Sequence, residues 1–157
     1  MVNLLMDELS KELKTRVVNG EILYKYRFPN IPATTTFIGD FVVVLKNGFT
    51  FYIECKKTEG NSVIGINNEK KKHQVKFNMD LQKSACSKHI YILGFYKFNK
   101  KGLKKYKYYS NYYLITDITP FIKRNSISEM ALRDNYIFGR SLPDVVNSMI
   151  KSVNILV

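Results

Sequence analysis

Cysteine and histidine are scarce in this chain. Two cysteines, Cys55 and Cys86, and two histidines, His73 and His89, are all that 157 residues contain. Two cysteines do not make a disulfide framework. The four residues also lack the Cys-x2-Cys or His-x3-His spacing of structural zinc sites, so zinc is not expected. Long apolar runs are missing too: none approaches the ~20 residues a membrane-spanning helix needs. The first ten residues already carry Asp7 and Glu8, unlike a signal peptide. The last four, Asn154-Ile155-Leu156-Val157, form no lipidation motif. Free thiols without a secretion signal imply the reducing cytoplasm and no membrane partner. No internal repeat or low-complexity linker divides the sequence, so residues 1–157 are expected to form a single domain.

Acidic residues are also in deficit. Thirteen Asp and Glu stand against 25 Lys and Arg, a formal net charge of +12 and a pI near 9.6. A surplus of that size points to a polyanionic partner, above all nucleic acid. Lys, Asn, Ile and Tyr are abundant, as AT-rich coding produces, so the charge supports this reading without carrying it. Apolar residues make up 45% of the chain, enough for a buried core.

Residues 3–18 have the pattern of an amphipathic helix, with Leu5, Leu9, Leu13 and Val17 in one stripe. Asn19-Gly20 ends it. Residues 22–28 read as a strand, broken by Pro29, Asn30 and Pro32. Two β-rich runs follow, 37–45 and 49–55, with Lys46-Asn47-Gly48 between them. Asn-Gly between such runs signals a hairpin, because a tight turn needs residues that tolerate positive φ. A flexible polar segment is expected over 58–68, a helix over 69–84 and a strand over 89–98. Residues 100–107 form a basic loop or hairpin tip, and 108–116 a returning strand. Helices are expected over 120–123, 126–133 and 142–151. This order implies an α/β or α+β fold with one sheet flanked by helices.

The chemistry concentrates at the hairpin. Strand side chains alternate, so Phe51, Ile53 and Cys55 share one face while Tyr52, Glu54 and Lys56 share the other. With Lys46-Asn47-Gly48 as the loop, Leu45 lies opposite Phe49 and Asp40 opposite Glu54. A two-residue Asn47-Gly48 loop instead puts Asp40 opposite Cys55, on the wrong face unless a bulge corrects it. Two close carboxylates repel unless a cation lies between them, and their oxygens suit Mg²⁺ or Mn²⁺. Lys56 beside such an ion suits orienting a water and stabilising a pentacovalent phosphate. The bland alternative is a solvated charge pair on a strand edge.

Phe37-Ile38-Gly39-Asp40, Leu45-Lys46-Asn47-Gly48 and Tyr52-Ile53-Glu54-Cys55-Lys56 together resemble the core of PD-(D/E)XK nucleases. Within that superfamily the pattern is most similar to Holliday-junction resolvases of the RecU type. Thr34-Thr35-Thr36 precedes the Asp, Lys57-Thr58 and a polar loop follow the Glu-x-Lys, and His73-Gln74 opens the next helix. The resemblance is strong over residues 34–74 and looser to the C-terminus. It implies a restriction-endonuclease-like mixed central sheet flanked by helices. It implies metal ligation by Asp40, Glu54 and the backbone carbonyl of Cys55, catalysis by Lys56, and a supporting polar contact from Gln74. It also implies an acidic residue on the first helix near the metal, for which Glu8 and Glu12 are the candidates, and a homodimer acting on a four-way DNA junction. The sequence departs from the RecU pattern in one place. That family carries a stalk before the catalytic strand, and here only residues 28–37 fill the space, as in a trimmed viral or mobile-element relative.

Two basic clusters are candidates for DNA contact. Lys70, Lys71 and Lys72 open the helix that carries Gln74. Lys101, Lys104 and Lys105, with Lys100 and Lys107, interleave with Tyr106, Tyr108 and Tyr109, a pattern that suits phosphate contact and base stacking. The expected activity is a Mg-dependent, structure-selective endonuclease. The alternatives are a restriction-like or homing duplex endonuclease, or a catalytically silent DNA-binding protein of the same fold.

Overall fold

The computed structural model describes residues 2–29, 39–59, 62–64, 72–101, 104–121 and 126–154. Helix α1 (Val2–Val18) leads into β1 (Ile22–Arg27), and the hairpin strands β2 (Phe41–Leu45) and β3 (Thr50–Glu59) follow. After β4 (Ser62–Ile64) come α2 (Lys72–Asp80), β5 (Ser87–Lys101) and β6 (Lys104–Ile115). The chain then forms β7 (Ser126–Ser128), α3 (Glu129–Asn135), β8 (Ile137–Gly139) and α4 (Leu142–Asn154). Six strands form one sheet in the order β1-β2-β3-β5-β6-β8, and β4 pairs with β7 in a separate ribbon. Among the described residues, only β3 and β5 run parallel. A parallel pair needs a long crossover, and the segment between these strands contains α2. The expected mixed central sheet flanked by helices is therefore what the chain forms.

One sheet face packs against α1 and α4. The stripe Leu5, Leu9 and Leu13 is fully buried against Phe41, Val43, Phe51 and Ile53, with Val145, Val146 and Met149 of α4 closing the layer. Each such side chain contributes about 1.5–3 kcal/mol. Val17 is only partly covered. The amides of Gly20 and Glu21 return to the carbonyls of Val17 and Arg16, which ends α1 where Asn19-Gly20 predicts. The opposite face packs Val75, Tyr91, Leu93, Tyr113, Ile118 and Leu132 under α2 and α3. Strand β3 is covered on both faces, so Ile53, Glu54 and Cys55 are buried in succession.

Several expected boundaries move. Strand β3 runs on to Glu59 and β4 forms at Ser62–Ile64, where the sequence suggests a flexible polar segment. Residues 126–133 are not one helix. Ser126–Ser128 pairs with β4, and Ser128 then caps α3 by accepting the Ala131 amide at 3.2 Å. Of the helix expected over 69–84, residues 69–71 lie outside the described residues, Lys72–Asp80 form α2, and Leu81–Lys83 form a 3₁₀ turn instead of continuing it. Of the helix expected over 120–123, residues 122–123 lie outside the described residues, and Thr119–Phe121 form a 3₁₀ turn. The basic segment is a hairpin arm on each side, with Lys101 paired to Lys104 and Lys100 to Lys105. Strand β8 has no counterpart in the sequence reading. Three-residue elements carry no periodicity of their own, and distant strands decide their pairing.

Candidate active site

The hairpin turn sets the register of the site. Gly48 adopts φ 88°, Asn47 Oδ1 accepts the Phe49 amide at 3.0 Å, and the Leu45 amide donates to Phe49 O at 2.8 Å. Leu45 and Phe49 therefore bracket a three-residue loop. The ladder continues through Val44↔Thr50 and Val43↔Phe51 to Phe41↔Ile53. One further step brings Asp40 level with Glu54, as the longer of the two loop alternatives requires.

Asp40 is tied to β3 on both sides of Glu54. Its amide donates to Ile53 O at 2.7 Å, and its Oδ2 accepts the Cys55 amide at 2.8 Å. The preceding residue makes this approach possible. Gly39 has φ 146°, and a Cβ there would lie 2.9 Å from Ile53 O. Only glycine combines that conformation with that contact.

Glu54 and Lys56 point to the α2 side of β3, and Ile53 and Cys55 to the α1 side, as alternation predicts. Gln74, the third residue of α2, bridges the pair. Its Nε2 donates to Glu54 Oε1 at 2.9 Å, and its Oε1 accepts from Lys56 Nζ at 3.0 Å. The reverse amide orientation would aim a donor at the ammonium. Lys56 Nζ lies 4.0 Å from Glu54 Oε1. Glu54 and Gln74 are each 7% exposed, so partners are obligatory for both. The Cys55 side chain is buried in the core on the other face of β3. Burial first, then the charges of Asp40 and Glu54, push its pKa well up. It is a protonated core residue rather than a nucleophile.

The layer beneath the site was not visible in the sequence. Tyr52, Phe77, His89 and Tyr91 pack edge to face in succession, at 5.3, 5.4 and 5.0 Å. Burial, followed by the Lys56 charge, lowers the His89 pKa to about 4. Burial, followed by the Glu54 charge, raises that of Tyr91. Among the described residues, neither ring nitrogen of His89 nor the Tyr91 hydroxyl has a hydrogen-bond partner. Asn78, fully buried, holds α2 in place. Its Nδ2 donates to His89 O at 2.8 Å and Thr116 O at 3.1 Å, and its Oδ1 accepts the Ile118 amide at 3.0 Å. Asn78 lies four residues after Gln74 on the same helix face, a spacing that could have singled it out.

Other expected site residues lie elsewhere. Glu12 accepts from Arg16 Nε at 2.8 Å, within a cluster with Glu21 and Asn147. Ile22, next to Glu21, pairs with Leu45, so this cluster sits at the turn end of the hairpin, opposite Asp40. The buried Arg16 guanidinium thus pairs with one of the two helix carboxylates that were candidates for the metal. Glu8 accepts from the Tyr112 hydroxyl at 3.4 Å. Among the described residues, no three His, Cys, Asp or Glu converge as a metal-holding group, so neither helix carboxylate completes a triad with Asp40 and Glu54. Lys72 is the exposed first residue of α2. Lys70 and Lys71 lie outside the described residues, as do the side chains of Lys101, Lys104 and Lys105.

The oxygen donors that remain, Asp40, Glu54 and the Cys55 carbonyl, fit Mg²⁺ or Mn²⁺ in kind. Mg²⁺ keeps several of its waters and needs only one or two carboxylates from protein. Among the described residues, no helix is long and apolar enough to cross a membrane. No known family model matches the chain, and no curated protein matches it significantly.

Proposed function

We propose that this protein is a metal-dependent DNA endonuclease that hydrolyses phosphodiester bonds at four-way junctions, a resolvase of the RecU type among PD-(D/E)XK nucleases. The observation that carries this reading is the Glu54–Gln74–Lys56 bridge on β3, with the Asp40 carboxylate bonded to the amide of the intervening Cys55. The net charge of +12 supports a polyanionic substrate.

Asp40, Glu54 and the Cys55 carbonyl are the groups that would hold the divalent ion. When bound, such an ion lowers the pKa of a water and polarises a phosphoryl oxygen. Lys56 presents its ammonium, held by Gln74 Oε1, to the charge that develops on the phosphoryl oxygens. Gln74 is the positioning residue, because one amide sets both the acid and the base of the pair. Two copies of the chain would present two sites to two strands, which a junction requires.

The test is cleavage of a synthetic four-way junction beside a plain duplex of the same sequence, in Mg²⁺ and in EDTA. Junction cleavage that needs Mg²⁺ is expected, and Asp40→Ala should abolish it while folding and DNA binding persist. Equal cutting of both substrates would favour a restriction-like or homing enzyme. Binding without cleavage would favour a silent DNA-binding protein of the same fold. Cleavage that survives in Asp40→Ala would mean that the site is wrongly assigned.

A further inference from the structure

A second concave surface lies where α1 crosses β1. Asp7, Ser10, Lys11 and Lys14 recur at intervals of three and four, so they form one stripe on the helix. Lys25 and Arg27, two apart, share one side of the strand. Together these six residues line a space of about 310 Å³. Four cations there face one anion. Asp7 Oδ1 accepts from Arg27 Nη1 at 2.6 Å. Lys25 Nζ donates to Ser10 O at 3.0 Å and Ser10 Oγ at 2.9 Å, both neutral acceptors. Among the described residues, no carboxylate pairs with Lys11, Lys14 or Lys25.

This crowding has a cost that an anion would relieve. Burial, then the charges of Lys14 and Arg27, lower the Lys25 pKa. One lining residue, Arg27, also touches the hairpin of the candidate active site. Arg27 pairs with Phe41, the residue after Asp40, and its guanidinium lies 6.0 Å from the centre of the Phe41 ring. The Phe28 amide donates to Asp40 O at 2.8 Å.

We propose that this pocket binds a backbone phosphate of the nucleic acid substrate and so anchors the strand on the α1–β1 side of the candidate active site. The inference rests on the endonuclease reading and names a contact that reading does not include. A phosphate diester spreads its charge over oxygens that several Lys point charges and an Arg fork can share. Among the described residues, no aromatic ring or side-chain amide lines the pocket, so the contact positions DNA without reading its sequence.

The experiment measures binding of the full chain to a fluorescent four-way junction and to a duplex of unrelated sequence, in EDTA, across a salt series. The double substitution Lys11→Gln, Lys14→Gln changes two exposed side chains. It should weaken binding severalfold for both DNAs and reduce the slope of log Kd against log salt by about 1. Asp7→Asn, which removes the internal anion, should tighten binding, a gain that a damaged fold cannot produce. If wild type cleaves DNA and the double variant binds both DNAs as wild type does throughout the series, the pocket is overturned and the endonuclease reading stands. Wild type that neither binds nor cuts any DNA overturns both. A third arm uses phosphatidylserine vesicles. Vesicle binding lost in the double variant, with DNA binding unchanged, would assign the pocket to an anionic membrane surface and overturn the proposal.

Discussion

Gln74 Nε2 donates to Glu54 Oε1 at 2.9 Å, a bond that joins α2 to the central strand at its most buried charge. Replacing the amide with an apolar side chain of similar size removes a donor from Glu54 and an acceptor from Lys56. Gln74→Leu should cost roughly 1–3 kcal/mol of stability and lower cleavage about 10–100-fold at saturating Mg²⁺. DNA binding in EDTA should hold. Single-turnover cleavage with a denaturation curve reads both effects. Wild-type cleavage by a folded Gln74→Leu protein would remove this residue from the site.

Gly39 and Gly48 both have positive φ, but only Gly39 also meets backbone, at 2.9 Å from Ile53 O. An alanine at Gly48 incurs conformational strain in open space. The same change at Gly39 adds a clash and pushes Asp40 off the Cys55 amide. Gly39→Ala should therefore cost more than Gly48→Ala, by about 1–3 kcal/mol, and should impair cleavage where Gly48→Ala does not. Equal losses in urea denaturation and equal cleavage rates would contradict the geometry at Asp40.

Asn78 satisfies the carbonyls of His89 and Thr116 and the amide of Ile118 from the middle of α2. Asn78→Leu removes the side-chain partner of His89 O and of the Ile118 amide in a buried place, while Thr116 O keeps Gln82 Nε2 at 2.7 Å. A loss on the order of 3 kcal/mol is expected, with Gln74 displaced and cleavage reduced in whatever fraction folds. Stability close to wild type would show that water replaces the amide.

His89 makes stability depend on pH. Its folded pKa, about 4, lies below the unfolded value near 6.5. Between these two the unfolded chain binds more protons. The contribution is therefore complete above pH 6.5, declines as the pH falls and is gone below about 4. Its full size is on the order of 3 kcal/mol. Lys56 and Tyr91 are the ionisable groups near the ring. His89→Phe keeps an aromatic ring between Phe77 and Tyr91 and removes the titration. Denaturation at pH 7 and at pH 4.5 should differ less in this variant than in wild type. An unchanged difference would place the titrating group elsewhere.

Much of the hairpin was legible in the sequence, because the signals involved are local. Asn47-Gly48 marks the turn, and alternation alone places Glu54 and Lys56 on one face and Cys55 on the other. The choice between two loop lengths was not local. The bond from the Leu45 amide to Phe49 O settles it in favour of the longer loop. Leu5, Leu9 and Leu13 were readable as a buried stripe for the same reason, a fixed helical period. Between Glu8 and Glu12 the sequence could not choose, because the spacing of Glu12 to Arg16 is equally that of a helix ion pair, which the structure forms. Strands β4, β7 and β8 were missed because three residues hold too little pattern to declare themselves.

Local order along the chain determined where the turns fall, which residues of β3 face together, and which helix face is apolar, since backbone sterics and side-chain period act over a few residues. Only the tertiary structure decided that Gln74 meets Glu54 and Lys56, that Asn78 anchors the helix beneath them, and that Lys11 and Lys14 come to face Lys25 and Arg27. Those groups belong to different elements, and the burial of two apolar faces against one sheet is what brings them together.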